Sequence, residues 1–394
     1  MREDTKLVYL GRENAKKNRT ISSPMTLTST SVFPTYKEYV YGDYQDATFE
    51  ENVDPYILLY GREGSEITNE LAKMLAELEG ADYSIITGTG GSAVATAMIA
   101  FVSAGDHMIV TESCYAVANN VSSKFLKRFG VKRTVVNARI GEEIEEYIKP
   151  NTRVIYFESP ASKTFEIQDI EVICKIAKKH NIVTIFDNTW GAPSLFKPME
   201  YGIDVSVQSL SKYVDGHSDN LLGAISMKKE HFKTLYANTR YLTPAASHFN
   251  IYMALRGIRT AQVRLEKHFK TGMKVAKWLQ TRPEVLEVLY PPLKTSPDHK
   301  RWKKYFKGAH GLMGFVLDKE YSTKQISQMI DKLKYFALGY SWGCYNSVVT
   351  VGNLEGKSNF TQYGRNTFIR IHCGLENLDD LIKDLGDGLD RLKD

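Results

Sequence analysis

The chain has 394 residues, 43% of them hydrophobic and 25% charged, which excludes disorder as its general state and leaves ample material for a buried core. That length exceeds one ordinary core of roughly 100 to 200 residues, so two domains, or one large and one small, are expected. The net charge of +5 comes from 51 basic and 46 acidic residues mixed along the chain, which argues against a nucleic-acid partner.

The first residues, MREDTKLVYLGRENAKKNRT, are polar and lack the apolar stretch of an export leader. No apolar run approaches the roughly 18 residues that a membrane span needs, so no membrane association is expected. Residues 1–60 show no clean period and contain Pro24, Pro34 and Pro55; they read as an extended arm that must pack on something. Next, ITNELAKMLAELEGA sets Leu71, Met74, Leu75 and Leu78 at helical spacing before Gly80, predicting an amphipathic helix with a glycine stop. In TGTGG, residues 87–91, glycines precede the helical pattern SAVATAMIAF and would let backbone amides approach an anion.

The runs HMIVTES, RVIYFESP, IVTIFDNTW and DVSVQSLSK follow, each continuously apolar before it turns polar, as in strands covered on both faces within a parallel sheet wrapped by helices. Ligands in such sheets sit beyond the carboxyl ends of the strands. The residues ending these runs are therefore the candidates for chemistry: Tyr115, Glu158, Asp187, Ser209, Ser211 and Lys212. From Tyr252 a long helical pattern runs to Gln280, and shorter strands and helices after Pro283 read as a second, α+β domain. The basic run Lys294–Lys307 reads as a solvated loop and helix face. Cys114, Cys174, Cys344 and Cys373 lie far apart with no CxxC pair, which predicts neither a metal site nor a disulfide framework and suits a reducing, cytoplasmic setting.

Lys212 follows two serines at a strand end, where a lysine could condense with an aldehyde; alone this is also what many surface lysines look like. Asp187 could pair with a pyridinium nitrogen or simply cap a helix. Tyr115 could lie on a flat ring or be an ordinary half-buried tyrosine. Arg62, in LLYGREG, and Arg370, in TFIRIHCGLE, could grip phosphate or carboxylate, or form surface ion pairs. His217 reads as a structural histidine. A Schiff-base lysine, an acid for a ring nitrogen and a glycine turn for a phosphate together fit pyridoxal 5'-phosphate (PLP).

Over nearly its whole length the sequence resembles the PLP enzymes of cysteine and methionine metabolism. LLYGREGSEIT is similar to that family's tyrosine-x-arginine segment, LAELEGAD to the helix after it, and DVSVQSLSKYVDGHSDNLLGA to its cofactor-lysine segment. FIRIHCGLENLDDLIKDL resembles its carboxylate-binding arginine and last helix, and GYSWGCYNS resembles its β-cleaving branch, because γ-acting members carry leucine in place of Trp342. The resemblance implies an α/β fold of the aspartate-aminotransferase type: a large PLP-binding domain with a mainly parallel sheet over 61–256, a smaller α+β C-terminal domain over 257–394, and an N-terminal arm over 1–60 that serves the oligomer and a neighbouring active site.

It further implies that Lys212 links to the cofactor and then moves protons, aided by Tyr115 as a phenolate stacked on the ring, while Asp187 holds the ring nitrogen. Gly90, Gly91, Ser209 and Ser211 would hold the phosphate, with Tyr60 and Arg62 reaching in from a neighbouring subunit of a homotetramer, a dimer of dimers with shared sites. Arg370 would bind the α-carboxylate of a sulfur amino-acid substrate, beside Ser341, Trp342 and Tyr340. The implied reaction is β-elimination from cystathionine to homocysteine, pyruvate and ammonia, with cysteine or cystine desulfhydration as a side activity. A γ-acting family member and a PLP-binding regulatory protein are the alternatives. Several positions depart from the family pattern. GREGSEIT lacks the usual asparagine-proline pair, Gly91 and Ser211 replace commoner residues, and Cys344 and Asn346 replace a glycine and a glutamate, which bears on substrate preference.

Overall fold

The four apolar runs become neighbouring parallel strands. The computed structural model describes residues 1–48 and 56–393, and its larger sheet contains β1 (Tyr83–Thr87), β2 (His107–Thr111), β3 (Lys132–Val136), β4 (Thr152–Glu158), β5 (Val183–Asp187), β6 (Val205–Ser209) and β7 (Gly223–Met227). Their order is β1-β7-β6-β5-β4-β2-β3, and only β7 runs against its neighbours. Successive side chains of a strand point to opposite faces, and here both faces are covered. Val154 and Tyr156 of β4 enter one apolar cluster while Ile155 and Phe157 enter another. Each such burial stabilises by about 1.5–3 kcal/mol, which is why these strands read as unbroken apolar runs.

The predicted amphipathic helix is Glu66–Glu79, with Leu71, Met74, Leu75 and Leu78 buried and Gly80 closing it at φ 70°. A glycine takes that left-handed backbone without penalty. The long helical pattern after Tyr252 forms two helices, His248–Ile258 and Ala261–Leu279, because Thr260 leaves the helical conformation at φ −107° and ψ 6°. The second sheet follows: β8 (Val285–Leu289), β9 (Leu312–Leu317), β10 (Ala337–Leu338), β11 (Val348–Gly352) and β12 (Phe368–His372), in the order β10-β11-β12-β9-β8. It is antiparallel except for the β10–β11 pair.

The N-terminal stretch differs from the extended arm expected of it. It contains helices at Glu3–Tyr9, Glu13–Lys17 and Tyr36–Thr48, and Pro55 lies outside the described residues. Leu7 is the buried anchor of the first helix, whereas Ile21, Leu27, Val32 and Tyr36 remain exposed. Among the described residues no helix is long and apolar enough to cross a membrane.

Arg259 ties the start of the chain to the rest. Its guanidinium donates to the carbonyls of Leu7, Val8, Leu10 and Gly11 at 2.7–3.2 Å. Hydrogen bonds from a charged donor stabilise by about 1.5–3 kcal/mol each, and these four share one side chain. Arg259→Met is therefore expected to release residues 1–12 locally, read as faster amide exchange and proteolysis there with the Glu66–Glu79 helix still protected.

Candidate active site

The carboxyl ends of β4 and β5 bring two acids side by side, since Glu158 and Asp187 are in register across the pair. Both are buried, and burial is the largest influence raising each above the usual carboxylate range. Asp187 accepts from the Thr189 amide at 3.0 Å and from the Tyr156 hydroxyl at 3.2 Å. Glu158 accepts from the Tyr115 amide at 2.6 Å and so pins the residue that follows β2. The Tyr115 ring stays 40% exposed, open on one side. Burial, then Asp187 and Glu158, push its hydroxyl above its ordinary value, which within this chain favours the neutral phenol.

β6 ends at Ser209, whose amide donates to Thr189 Oγ1 at 2.9 Å, and the chain turns immediately into Lys212. The Lys212 amine donates to Ser341 Oγ at 2.5 Å and lies 5.7 Å from the Trp342 ring centre. Burial, with Arg370 second, lowers it to about 8, while Cys344 and Asp187 pull the other way. That is the direction a working base requires. The backbone of this lysine is pressed by the loop from the second sheet: a Cβ on Gly343 would lie 3.1 Å from Lys212 Cα. His217 bonds to the Asp215 carbonyl at 2.7 Å and takes no part.

The glycine turn starts the helix Gly90–Ala100. Thr89 Oγ1 accepts from the Ser92 amide at 2.9 Å and Ser92 Oγ accepts from the Thr89 amide at 3.0 Å, a reciprocal cap. The Gly90 and Gly91 amides fall in the first turn, where no intrahelical acceptor exists. A Cβ on Gly90 would lie 2.5 Å from Ser209 Cβ, so the turn and the β6 end meet, whereas one on Gly91 would find its nearest neighbours at an ordinary 3.7 Å. The Ser211 hydroxyl accepts from the Leu222 amide at 3.0 Å.

From the second sheet, Arg370 on β12 donates to the Ser341 carbonyl at 3.3 Å and to Thr350 Oγ1 at 3.1 Å. Burial lowers its affinity for the proton, and Glu158 opposes that. Ser341, Trp342, Arg370, Lys212, Asp187 and Tyr115 thus share one centre. Tyr340 is 89% exposed, and among the described residues no hydrogen bond ties it to this centre. Arg62 pairs with Glu63 at 3.1 Å and sits over the Tyr60 ring, and among the described residues no hydrogen bond joins either to Lys212. Sequence reasoning missed Thr89, Ser92, Tyr156 and Thr189. The threonine-x-x-serine spacing before a helix signals the first two, and nothing marks a tyrosine inside an apolar strand.

Residues 4–390 match the family described as Cys/Met metabolism PLP-dependent enzyme. An L-alanine/L-glutamate racemase from Wolbachia pipientis wMel is 37% identical over 100% of this chain and 98% of its own. A cystathionine beta-lyase from Escherichia coli K12 is 33% identical over 99% of this chain and 98% of its own. A solved structure of a putative O-acetylhomoserine (thiol)-lyase from Campylobacter jejuni, carrying N'-pyridoxyl-lysine-5'-monophosphate, superposes with a TM-score of 0.87 at 27% identity, covering 99% of each chain. The chain belongs to the Cys/Met metabolism PLP-dependent enzymes and has the fold type I architecture. It is a PLP-dependent enzyme.

The residues present fit that cofactor. A buried acid, Asp187, lies within electrostatic range of the Lys212 amine and of the half-exposed Tyr115, and a helix start whose first amides have no intrahelical acceptor meets the serine-bearing end of β6. Two outcomes follow. Gly90→Ala must displace Ser209 and is expected to cost about 1–3 kcal/mol and to weaken PLP retention, whereas Gly91→Ala should change stability by less than about 0.5 kcal/mol, both read by thermal unfolding and cofactor titration. In cofactor-free protein the lowered Lys212 pKa puts its neutral amine above about pH 8. Competitive acetylation should then show its reactivity rising through that pH, well before an ordinary lysine at about 10.4.

Proposed function

We propose that this enzyme is a carbon–sulfur β-lyase that cleaves cystathionine to homocysteine, pyruvate and ammonia, with cysteine and cystine as further substrates. The observation that carries the reading is the Ser341–Trp342 wall set directly against the Lys212 amine. This is the segment that resembles the β-cleaving branch of the family, and relatives named cystathionine beta-lyase align along the chain at 33–35% identity.

When bound, PLP supplies an electron sink for charge developing at the substrate α-carbon. Lys212 would hold it covalently, Asp187 its ring nitrogen, and Tyr115 one face of its ring. The Gly90 and Gly91 amides, with the Ser209 and Ser211 hydroxyls, would hold its phosphate. Arg370 receives the substrate carboxylate as a two-pronged donor. The Lys212 amine, neutral in part near pH 8 because of its burial beside Arg370, takes the α-proton. Ser341 Oγ orients that amine, and Trp342 excludes water from one side of it. As an ammonium, Lys212 returns a proton to the departing sulfur. Tyr340 belongs at the rim of the same pocket.

Tyr60 and Arg62 serve a neighbouring subunit's phosphate site in a homotetramer of two dimers. The exposure of Tyr60 and of the apolar side chains Ile21, Leu27 and Val32 of the arm supports this. The division at residues 60 and 256 is supported by the two sheets, and a reducing cytoplasmic location by four buried free cysteines.

A second reading is racemisation, which the identity to the Wolbachia enzyme favours and which begins with the same α-proton removal. Purified enzyme assayed against cystathionine, cystine, methionine, L-alanine and L-glutamate decides. Pyruvate with homocysteine is the expected result. 2-Oxobutyrate from cystathionine would mean γ-cleavage, and D-amino acids without keto acid would mean racemisation. Lys212→Ala should abolish the visible cofactor absorbance and lower turnover by at least about 10²-fold, the span a general base commonly supplies.

A further inference from the structure

Behind Lys212 lies a set of rings, buried except for Trp342, of which the proposed chemistry uses only Trp342. Tyr213, the residue after the lysine, is 1% exposed; its ring centre lies 4.2 Å from that of His310, 5.5 Å from Trp342 and 5.8 Å from His372. His310 and Trp342 stack with 23° between their planes. His372, also 1% exposed, makes two hydrogen-bonding contacts: Nε2 lies 2.9 Å from the Cys344 carbonyl and Nδ1 lies 3.4 Å from the Tyr213 hydroxyl.

Because a carbonyl can only accept, Nε2 carries the ring proton, leaving Nδ1 to accept the Tyr213 O–H. Burial, with His268 next, keeps the imidazole neutral, at about 3, so this arrangement does not titrate in the working range. One side chain thereby joins three segments: the turn that bears Lys212, the loop Ser341–Cys344, and β12, where His372 stands two residues beyond Arg370. The loop needs such a tether. Ser341 has φ 81°, a conformation that side-chain-bearing residues rarely adopt and that persists only when its surroundings impose it. Ser341 in that conformation accepts from Lys212 at its hydroxyl and from Arg370 at its carbonyl. From the other side, Glu376 holds Ser347 by its amide at 2.6 Å and its hydroxyl at 2.9 Å.

We propose that His372 is a positioning residue that, by bridging the Tyr213 hydroxyl and the Cys344 carbonyl, sets the Ser341–Cys344 loop and through it the substrate-carboxylate pocket formed with Arg370. The inference rests on the carboxylate-binding role proposed for Arg370. It does not depend on which bond the enzyme breaks.

The experiment uses holoenzyme and three variants. His372→Leu removes both hydrogen bonds, His372→Gln retains one donor and one acceptor about as far apart as the ring nitrogens, and Tyr213→Phe removes only the hydroxyl. Two readouts are taken at equal cofactor content, established by visible absorbance: KM and kcat for the preferred amino acid, and calorimetric Kd for 3-(methylthio)propanoate, a carboxylate with no amine to react. His372→Leu is expected to raise KM and this Kd together by about tenfold, with a smaller change in kcat, as for loss of one good hydrogen bond and one longer one. His372→Gln should return both to within about threefold, and Tyr213→Phe should fall between.

A loaded His372→Leu enzyme with both constants within twofold of the parent overturns the proposal, as does a Gln variant as impaired as the Leu variant, which would mean ring packing alone. Should the Leu variant not load cofactor, Tyr213→Phe decides: raised KM and Kd support the bridge, and unchanged values overturn it. Because the Kd needs no turnover, failure of the β-lyase reading leaves this test intact.

Discussion

The Lys212 amine is held by a hydroxyl from a different sheet. Its turn follows β6 of the large sheet, while Ser341, which accepts its hydrogen bond, sits between β10 and β11 of the small one. Neither sheet alone has a site. The strand ends of the first supply acids, an aromatic face and a helix start; the second supplies the arginine and the loop that closes over the amine. Gly343, at φ 87°, lets that loop press on the lysine backbone, where a Cβ would come within 3.1 Å of Lys212 Cα. The close fit makes the position of the amine a property of the packing between the sheets. Packed interiors resist small displacements, so the nitrogen is placed before any substrate arrives.

Charge follows from the same geometry. Glu158 and Asp187 meet at neighbouring strand ends, with Lys212 and Arg370 facing them. Burial drives the acids towards their neutral form and the lysine towards its own, while attraction between the two sets acts against both. The lysine comes out near 8, an amine able to exchange protons around neutrality. Thr189 and Tyr156 supply Asp187 with hydrogen bonds that favour its charged form, and a cationic ring nitrogen at that place would add to them. A phosphate at the Gly90 helix start would likewise meet amides that have no intrahelical acceptor.

The parts of the fold legible in the sequence are those where burial on both faces leaves a run of apolar residues. Such runs mark β2, β4, β5 and β6, and the polar residue ending each is where the chemistry gathers. β7, written GAISM, is equally buried, yet its small residues and glycine hide it. The short arm helices show no period because little of their surface is covered within one chain. The helical pattern after Tyr252 continues through Thr260, so the break there is invisible to spacing and comes from backbone geometry. Among the site residues, Asp187 and Arg370 announce themselves by charge within strands and Lys212 by charge in the turn after one. Tyr156 and Thr189 do not, because a buried tyrosine and a turn threonine have the same spelling whatever they bond to.

By itself the sequence carried the family and the cofactor through motifs that resemble the family along the chain, and it singled out Lys212 as the candidate lysine, because such motifs and the strand ends that bear them are local patterns. Tertiary structure decided how those groups act on one another. Lys212 and Ser341 are 129 positions apart in the chain, and no spacing rule connects them. Only the packing of one sheet on the other brings the hydroxyl and Arg370 to the amine, buries it, and thereby lowers its affinity for a proton.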